Sequence, residues 1–181
     1  MQKDGQRIFP LRGAVQHYDW GGKSFIPKLM GKDNPKNLPH AELWFGTHVN
    51  GPTRIPTLKD ASLDDLISAD PARLLGDVTQ DLFGSDLPFL LKVLDAEKML
   101  SIQVHPTQQQ ARDGFSAEER RQVPLGANHR NYKDENHKPE VHVALTEFWM
   151  LHGFRPFPEI AGLFQQIPSF LPFLESVKQQ S

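Results

Sequence analysis

The stretch LPFLLKVLDAEKMLSIQVHP, residues 87–106, joins a near-continuous apolar run to a short alternating segment that ends at a proline. The apolar run is typical of a buried strand. In the alternating segment, Gln103 and His105 are two residues apart and are flanked by apolar residues. A strand has a side-chain period of two, so it would present Gln103 and His105 on one face. The stretch therefore predicts a sheet in which one strand end carries two polar side chains that point the same way.

A second polar pair occurs in NHKPEVHVAL, where Glu140 and His142 are also two residues apart. We expect a strand to begin at about Glu140. Imidazole and carboxylate groups are good ligands for zinc and similar divalent metals. Two neighbouring strands would then present Gln103, His105 and Glu140 to a single ion. The pattern alone leaves a second interpretation open, in which His105 caps the following helix and Glu140 is solvated.

Two lysines occupy unusual positions. Lys92 lies inside the apolar run, where a lysine is costly unless its ammonium has a partner or reaches a cleft. Snorkelling of Lys92 to the sheet edge is the alternative. Lys138 precedes Pro139, which biases the backbone of Lys138 to an extended conformation and aligns it with the strand that carries Glu140.

Short elements separated by turns are predicted along the rest of the chain. Pro71 should divide a helical pattern into two short helices, the first of which is capped by Ser62. Trp20 and Trp44 either line a sugar-binding surface or belong to the core. We expect strands at 14–22, 41–51 and 87–100, a loop at 30–40, short helices over 62–76 and after Pro106, a polar loop from 131, and helices in the tail, where Ile160, Leu163, Phe164 and Ile167 show helical spacing.

Composition excludes several classes of protein. The chain has 181 residues, a formal net charge of −2 and no cysteine. There is no overall positive charge to favour nucleic acid or an acidic membrane, and neither a disulfide framework nor a thiolate metal site is possible. No apolar stretch has membrane-spanning length, and the N-terminus shows no secretory signal, so we expect a cytoplasmic protein.

Five motifs occur in the order YDWGG (18–22), AELWFGTH (41–48), LPFLLKVLDAEKMLSIQVHP (87–106), NYKDENHKPE (131–140) and ALTEFWMLHGFRPF (144–157). Together they resemble the type I phosphomannose isomerases over nearly the whole chain. The resemblance implies a zinc-dependent aldose–ketose isomerase that interconverts mannose 6-phosphate and fructose 6-phosphate. It also implies a mainly β fold with short helices, in which residues 1–155 form an incomplete, cupin-like, jelly-roll catalytic domain and residues 156–181 begin a helical subdomain.

The resemblance also implies roles for individual residues. The zinc ligands of the family match Gln103, His105 and Glu140. Lys138 is the candidate for stabilising the enediolate oxygen or relaying a proton. The predicted substrate-binding residues are Trp20, Glu42, Lys92 and Ser101, with Lys92 and Ser101 assigned to the phosphate or a hydroxyl.

The family has a fourth zinc ligand, a histidine far downstream of these motifs, and its members are longer. The chain is therefore expected to be an N-terminal portion that is a poor catalyst by itself. Exposed sheet edges, together with the tail residues Phe170, Phe173 and Leu174, would favour self-association. His142 could replace the missing ligand, although the family does not use that position.

Two other functions fit the pattern. An iron oxygenase on a cupin scaffold would use two histidines and one carboxylate, which His105, His142 and Glu140 supply. A non-catalytic module would bind sugar phosphate without converting it. Metal identity, oxygen consumption and isomerase turnover distinguish these alternatives. A small sugar phosphate is the expected partner of the isomerase and of the non-catalytic module, and neither nucleic acid nor membrane is expected.

Overall fold

A computed structural model describes residues 8–100 and 102–178. The chain divides into two compact units, Met1–Leu100 and Ser101–Ser181. Each unit is described by itself. The predicted domain boundary at residue 155 stays a prediction.

The first unit combines two small sheets with short helices. Its elements are β1 (Ala14–Gln16), α1 (Phe25–Leu29), β2 (Glu42–Phe45), β3 (Arg54–Ile55), a 3-10 turn (Pro56–Leu58), β4 (Ala61–Ser62), α2 (Leu63–Ala69), α3 (Pro71–Leu75), α4 (Asp77–Phe83) and β5 (Leu91–Leu94). The larger sheet is antiparallel and has the strand order β1-β2-β5, so β2 is paired on both sides. Trp44 of β2 lies opposite Ala14 on one neighbour and Lys92 on the other.

The core of this unit includes β2. Ile26 and Ile55 are fully buried in the same unit, and burying an isoleucine side chain contributes about 1.5–3 kcal/mol. Leu43 and Trp44 are both buried although they alternate along the strand. A period-two alternation of side chains in AELWFGTHVNG (41–51) therefore does not separate a buried face from an exposed one, because β2 is covered on both faces. The prediction that β5 is buried is wrong, since Leu91 is exposed and the rest of the strand is half-buried.

Two helices of the first unit, α2 and α3, begin at residues whose side chains cap them. Ser62 accepts a hydrogen bond from the backbone N–H of Asp64 at 3.2 Å. Asp70 separates α2 from α3 and accepts from the backbone N–H of Arg73, while Pro71 occupies the first turn of α3. The predicted division at Pro71 is confirmed. Helix α4, which the sequence pattern did not predict, follows Gly76, whose φ of 79° suits a glycine.

One long helix, α5 (Gln108–Arg120), organises the second unit where several short helices were predicted. Thr107 and Gln110 form a complete capping box at its start. Thr107, and not His105, is therefore the capping residue. Gly114 allows the ring of Tyr132 to pack directly on the helix, because a Cβ at this position would collide with the ring.

The predicted tail helices are confirmed. They are α6 (Phe157–Gln165) and α7 (Leu171–Lys178), with a 3-10 turn at Pro168–Phe170 between them. Phe164 packs against Phe170 with ring centroids 5.0 Å apart. Phe170 and Phe173 are exposed as predicted, but Leu174 is buried, and α7, which carries it, contacts both α6 and the 3-10 turn.

Two predicted strands are absent from the described residues. The segment from Ile102 to His105 and the segment from Glu140 form neither strand nor helix. A strand is stable only when its backbone groups pair with a neighbour, and neither segment has a pairing partner in the part of the chain that the structure describes. Val141 and Val143 are consequently exposed. The structure shows small sheets combined with helices rather than a mainly β fold. Among the described helices, none has both the length and the apolarity to span a bilayer.

Candidate functional site

A cavity of about 560 Å³ lies within the second unit. The segment before α5 lines it with Gln103 and His105, and α5 adds Gln110. The loop after the helix lines it with Tyr132, Asp134 and Lys138, among others. Three of the residues predicted from the sequence, Gln103, His105 and Lys138, therefore line one cavity.

His105 and Glu140 approach each other at this site. Nε2 of His105 lies 3.9 Å from Oε1 of Glu140. Two zinc ligands at bond lengths of about 2.1 Å and tetrahedral angles lie about 3.4 Å apart, so a shift of about half an ångström would let one ion bond both. An imidazole nitrogen and a carboxylate oxygen are ordinary zinc donors, and Gln103, a rarer zinc ligand, lines the same cavity as His105, so the residues fit this metal.

His142 contacts the other oxygen of the same carboxylate. Its Nε2 lies 3.2 Å from Oε2 of Glu140. The two histidines thus approach different oxygens of Glu140 rather than one point. Across residues 8–100 and 102–178, no three His, Cys, Asp or Glu side chains are grouped so as to hold a metal ion. This arrangement does not favour the His105, Glu140 and His142 set of an iron site.

Lys138 lines the cavity and has one acidic neighbour. Its Nζ lies 3.8 Å from Oδ2 of Asp134, and both side chains are about half exposed. Such an exposed pair is weak, so the ammonium can reorient toward a bound anion without losing much stabilisation. Lys138 thus lines the same cavity as Gln103 and His105, and its chemical role stays a prediction.

The sequence pattern predicts that the TQQQ run (107–110) is an exposed helix face. It does not predict the hydrogen bonds that the side chains of this run form. Gln110 completes the capping box and lines the cavity. Gln108 donates from Nε2 to the carbonyl of Glu135 at 2.7 Å and accepts from Nδ1 of His137 at 2.6 Å. The Thr-x-x-Gln spacing is a sequence signal for the cap. Nothing in the sequence indicates the long-range contacts.

A buried arginine fixes the beginning of the loop. The side chain of Arg130 is 0% exposed and forms an ion pair with Glu119 at 2.7 Å. Its Nε donates to the carbonyl of Tyr132 at 2.7 Å, and its guanidinium lies 5.0 Å from the ring centroid of Phe115. Glu118 accepts from the backbone N–H groups of the residues that follow Arg130. These hydrogen bonds, with the charge of Arg130, hold the pKa of Glu118 below its usual range.

Three predicted substrate-binding residues lie in the first unit, and two of them are in contact. Lys92 is placed opposite Trp44 by the β2–β5 register, with its Nζ 5.4 Å from the indole centroid. The same ammonium lies 3.8 Å from Oε2 of Glu42, which also accepts from the indole N–H of Trp44. Lys92 therefore has a partner within the unit instead of extending alone to the sheet edge. Trp44 belongs to the core.

The third of these residues, Trp20, is half-buried and stacks on Tyr18, with ring centroids 5.8 Å apart. Burial, and then the nearby charge of Glu42, raises the pKa of the Tyr18 hydroxyl. Tyr18 is not among the predicted site residues, although its spacing of two from Trp20 indicates a shared face. Ser101, the remaining predicted substrate residue, lies outside the described residues.

Comparison with known proteins identifies the family. The family model described as phosphomannose isomerase type I, catalytic domain, matches residues 8–157. The mannose-6-phosphate isomerase of Escherichia coli (strain K12) is 42% identical over 172 residues, which cover 94% of this chain and 44% of that protein. The mannose-6-phosphate isomerase of Bos taurus is 39% identical over 181 residues, which cover 91% of this chain and 39% of that protein.

Solved structures agree with this result. A crystal structure of mannose 6-phosphate isomerase from Salmonella typhimurium, bound to its substrate fructose 6-phosphate and a zinc atom, matches with a TM-score of 0.67 and 42% identity. The match covers 74% of this chain and 34% of that one. This chain thus spans less than half the length of these curated relatives. Since the family model covers most of its length, the chain belongs to the type I phosphomannose isomerase family.

Proposed function

We propose that the chain is part of a zinc-dependent aldose–ketose isomerase that interconverts mannose 6-phosphate and fructose 6-phosphate. The observation that carries the proposal is the approach of His105 to Glu140, at 3.9 Å, beside a cavity that Gln103 and Lys138 also line. The relative that binds zinc and fructose 6-phosphate, 42% identical to this chain, supports the metal and the substrate class.

Gln103, His105 and Glu140 would hold the zinc. When bound, the ion supplies Lewis-acid polarisation of the sugar oxygens at the reacting carbons. His105 and Glu140 present one nitrogen and one oxygen donor toward the same space, and Gln103 contributes an amide oxygen from the segment that carries His105. An iron set with His142 receives less support, because His142 contacts the other oxygen of Glu140.

The isomerisation moves a proton between C2 and C1 of the sugar through an enediolate, and negative charge develops on the sugar oxygens. A lysine ammonium near those oxygens stabilises this charge. Lys138 is proposed for this role, or for relaying a proton, because its side chain lines the cavity and its only ion pair in the described residues is weak.

Substrate contacts are proposed for four further residues. Lys92 and Ser101 would contact the phosphate or a hydroxyl of the sugar. Glu42 and Trp20 would bind and orient the sugar. In support, Glu42 is held in one position by Lys92 and by the indole N–H of Trp44. Trp20 presents a stacked aromatic surface with Tyr18, a type of surface on which sugar rings pack.

Three further statements belong to the proposal. The family resemblance supports a cupin-like jelly-roll arrangement for residues 1–155 and a helical subdomain that begins at residue 156. A cytoplasmic location, expected from the sequence, is part of the proposal. Self-association is supported by exposed apolar side chains such as Val141 and Phe173.

The test measures metal content and turnover of the purified chain and of Glu140→Gln, a variant that keeps the size of the side chain. We expect the unmodified chain to retain about one equivalent of zinc and to interconvert the two sugar phosphates at a low rate, and the variant to lose both properties. Val141→Thr, next in sequence and exposed, is the matched control. Bound iron with oxygen consumption would contradict the proposal in favour of an oxygenase. Sugar-phosphate binding without turnover would indicate a non-catalytic module.

A further inference from the structure

The two segments that carry the proposed metal ligands have no ladder between them in the described residues, yet His105 and Glu140 approach to 3.9 Å. We infer that Gln108 is the positioning residue that holds the segment of His105 and the segment of Glu140 at this separation. The inference deepens the proposed function and rests on it for the identity of the metal site.

Gln108 uses both ends of its side-chain amide. Nε2 donates to the carbonyl of Glu135 at 2.7 Å, and Oε1 accepts from Nδ1 of His137 at 2.6 Å. Together these hydrogen bonds fix the amide orientation, and because the amide oxygen can only accept, they place a proton on Nδ1 of His137. Two contacts from one half-buried side chain thus attach α5 to the loop that leads to Lys138 and Glu140.

The helix provides a fixed base for these contacts. Its first turn is closed by the capping box, in which Gln110 bonds the Thr107 backbone N–H at 2.9 Å and Thr107 bonds the Gln110 backbone N–H at 3.3 Å. Ala111 is buried one turn after Gln108. The cap and the buried Ala111 fix the backbone of this turn, so both contacts of Gln108 start from a fixed position.

Because few residues separate Gln108 and His137 from the proposed ligands, the contact between them also restricts the ligands. His105 precedes Gln108 by three residues, and Glu140 follows His137 by three residues. Three residues span at most about 10 Å, and a proline within each span, Pro106 or Pro139, restricts the backbone there. Fixing His137 against Gln108 therefore restricts the positions that Glu140 can take relative to His105.

The adjacent Gln109 provides a matched control. Its Nε2 donates to Oδ1 of Asp113 at 2.9 Å, so its hydrogen bond stays within α5. Gln109 and Gln108 occupy the same helical turn and have the same side-chain length. Of the two, Gln108 is the one whose described contacts connect the helix to the loop.

The experiment compares Gln108→Met with Gln109→Met in the full chain. Methionine keeps the side-chain length and removes the amide. We expect Gln108→Met to weaken Zn²⁺ binding about tenfold, as measured by competition with a chromophoric chelator, and to change the absorption spectrum of bound Co²⁺. Gln109→Met should change neither. Gln108→Glu keeps an oxygen that faces His137 and should bind Zn²⁺ with intermediate affinity.

A second measurement does not depend on metal. Nitrogen NMR of the metal-free chain should show the Nδ1-protonated form of His137, and Gln108→Met should lose this preference while Gln109→Met keeps it. Equal Zn²⁺ affinities for the two methionine variants, or an unchanged His137 signal in Gln108→Met, would overturn the inference. If the unmodified chain binds no Zn²⁺, the proposed function fails, and the His137 signal alone decides whether Gln108 attaches the loop.

Discussion

Two groups of predicted site residues are held by different kinds of structure. In the first unit, Lys92 and Glu42 lie on paired strands, and the β2–β5 register sets which residues face each other. In the second unit, His105 and Glu140 lie on segments that form no strand, and the side chains of α5 and its loop hold those segments. The first arrangement depends on backbone ladders and the second on a few individual side-chain contacts.

This difference predicts at which of the two sites a single substitution changes the geometry most. A ladder has many backbone hydrogen bonds, so replacing one side chain leaves the register intact. A segment held by two or three side-chain contacts loses its position when one of them is removed. We therefore expect the geometry of the second-unit site to be more sensitive to substitution than the geometry of the first-unit cluster.

The largest expected effect tests the metal pair directly. His105→Ala should reduce zinc affinity by at least about a hundredfold and abolish turnover, because losing a ligand costs more than the roughly ten- to hundredfold typical of an outer contact. His152→Ala, which changes an exposed histidine of the same unit, is the control. Zinc affinity and turnover are measured together. If His105→Ala retains zinc fully, His105 is not a zinc ligand and the proposed metal site is wrong.

The next effect concerns the fixed beginning of the loop. Arg130→Met should lower the free energy of unfolding by about 3–5 kcal/mol, because it removes a fully buried charge and leaves its partners without a counter-charge. Arg121→Met, which changes an exposed arginine, should have an effect within about 0.5 kcal/mol. Urea denaturation measures both. Equal midpoints would show that the loop does not depend on the buried arginine.

The two lysines provide a comparison between the units. Lys138→Met should lower turnover about ten- to hundredfold with almost no change in stability, because its ion pair is exposed. Lys92→Met should raise KM while costing less than about 1 kcal/mol of stability, since its ion pair is partly exposed and the indole N–H of Trp44 still binds Glu42. Kinetics and thermal unfolding are measured for both variants. A larger stability loss for Lys138→Met would reverse the comparison.

The smallest expected effect is a difference in acid sensitivity. The folded-state pKa of Glu118 is lowered, so its stabilising contribution is complete above the ordinary carboxyl range and is lost as the pH falls through the lower folded-state value. Glu118→Gln should therefore flatten the loss of stability below about pH 4. Asp70, whose pKa is lowered chiefly by its side-chain hydrogen bond with Arg73, is exposed, so Asp70→Asn should have less effect.

Unfolding free energies measured from neutral pH into acid, with probes in each unit, test this difference. If the free energy of unfolding falls equally in acid for Glu118→Gln and for the unmodified chain, the loop does not depend on the Glu118 charge.

Local chemistry in the sequence determined several features. Ser62 predicted a capped helix and Pro71 predicted its division, because capping and the missing proline N–H act within a few residues. The tail helices followed from apolar spacing. The family was evident from the order of its motifs, and the candidate ligands Gln103, His105 and Glu140 came with it.

Only the tertiary structure decided which groups meet. The partners of Lys92 depend on strand register, and the contacts of Gln108 join residues 27 and 29 positions apart. The predicted strands around Gln103 and Glu140 required pairing partners, which the pattern of a single segment does not supply. Local rules act through neighbouring residues and therefore can be read from the sequence, whereas ladders, ion pairs and side-chain attachments depend on the position of distant segments, which only folding brings together.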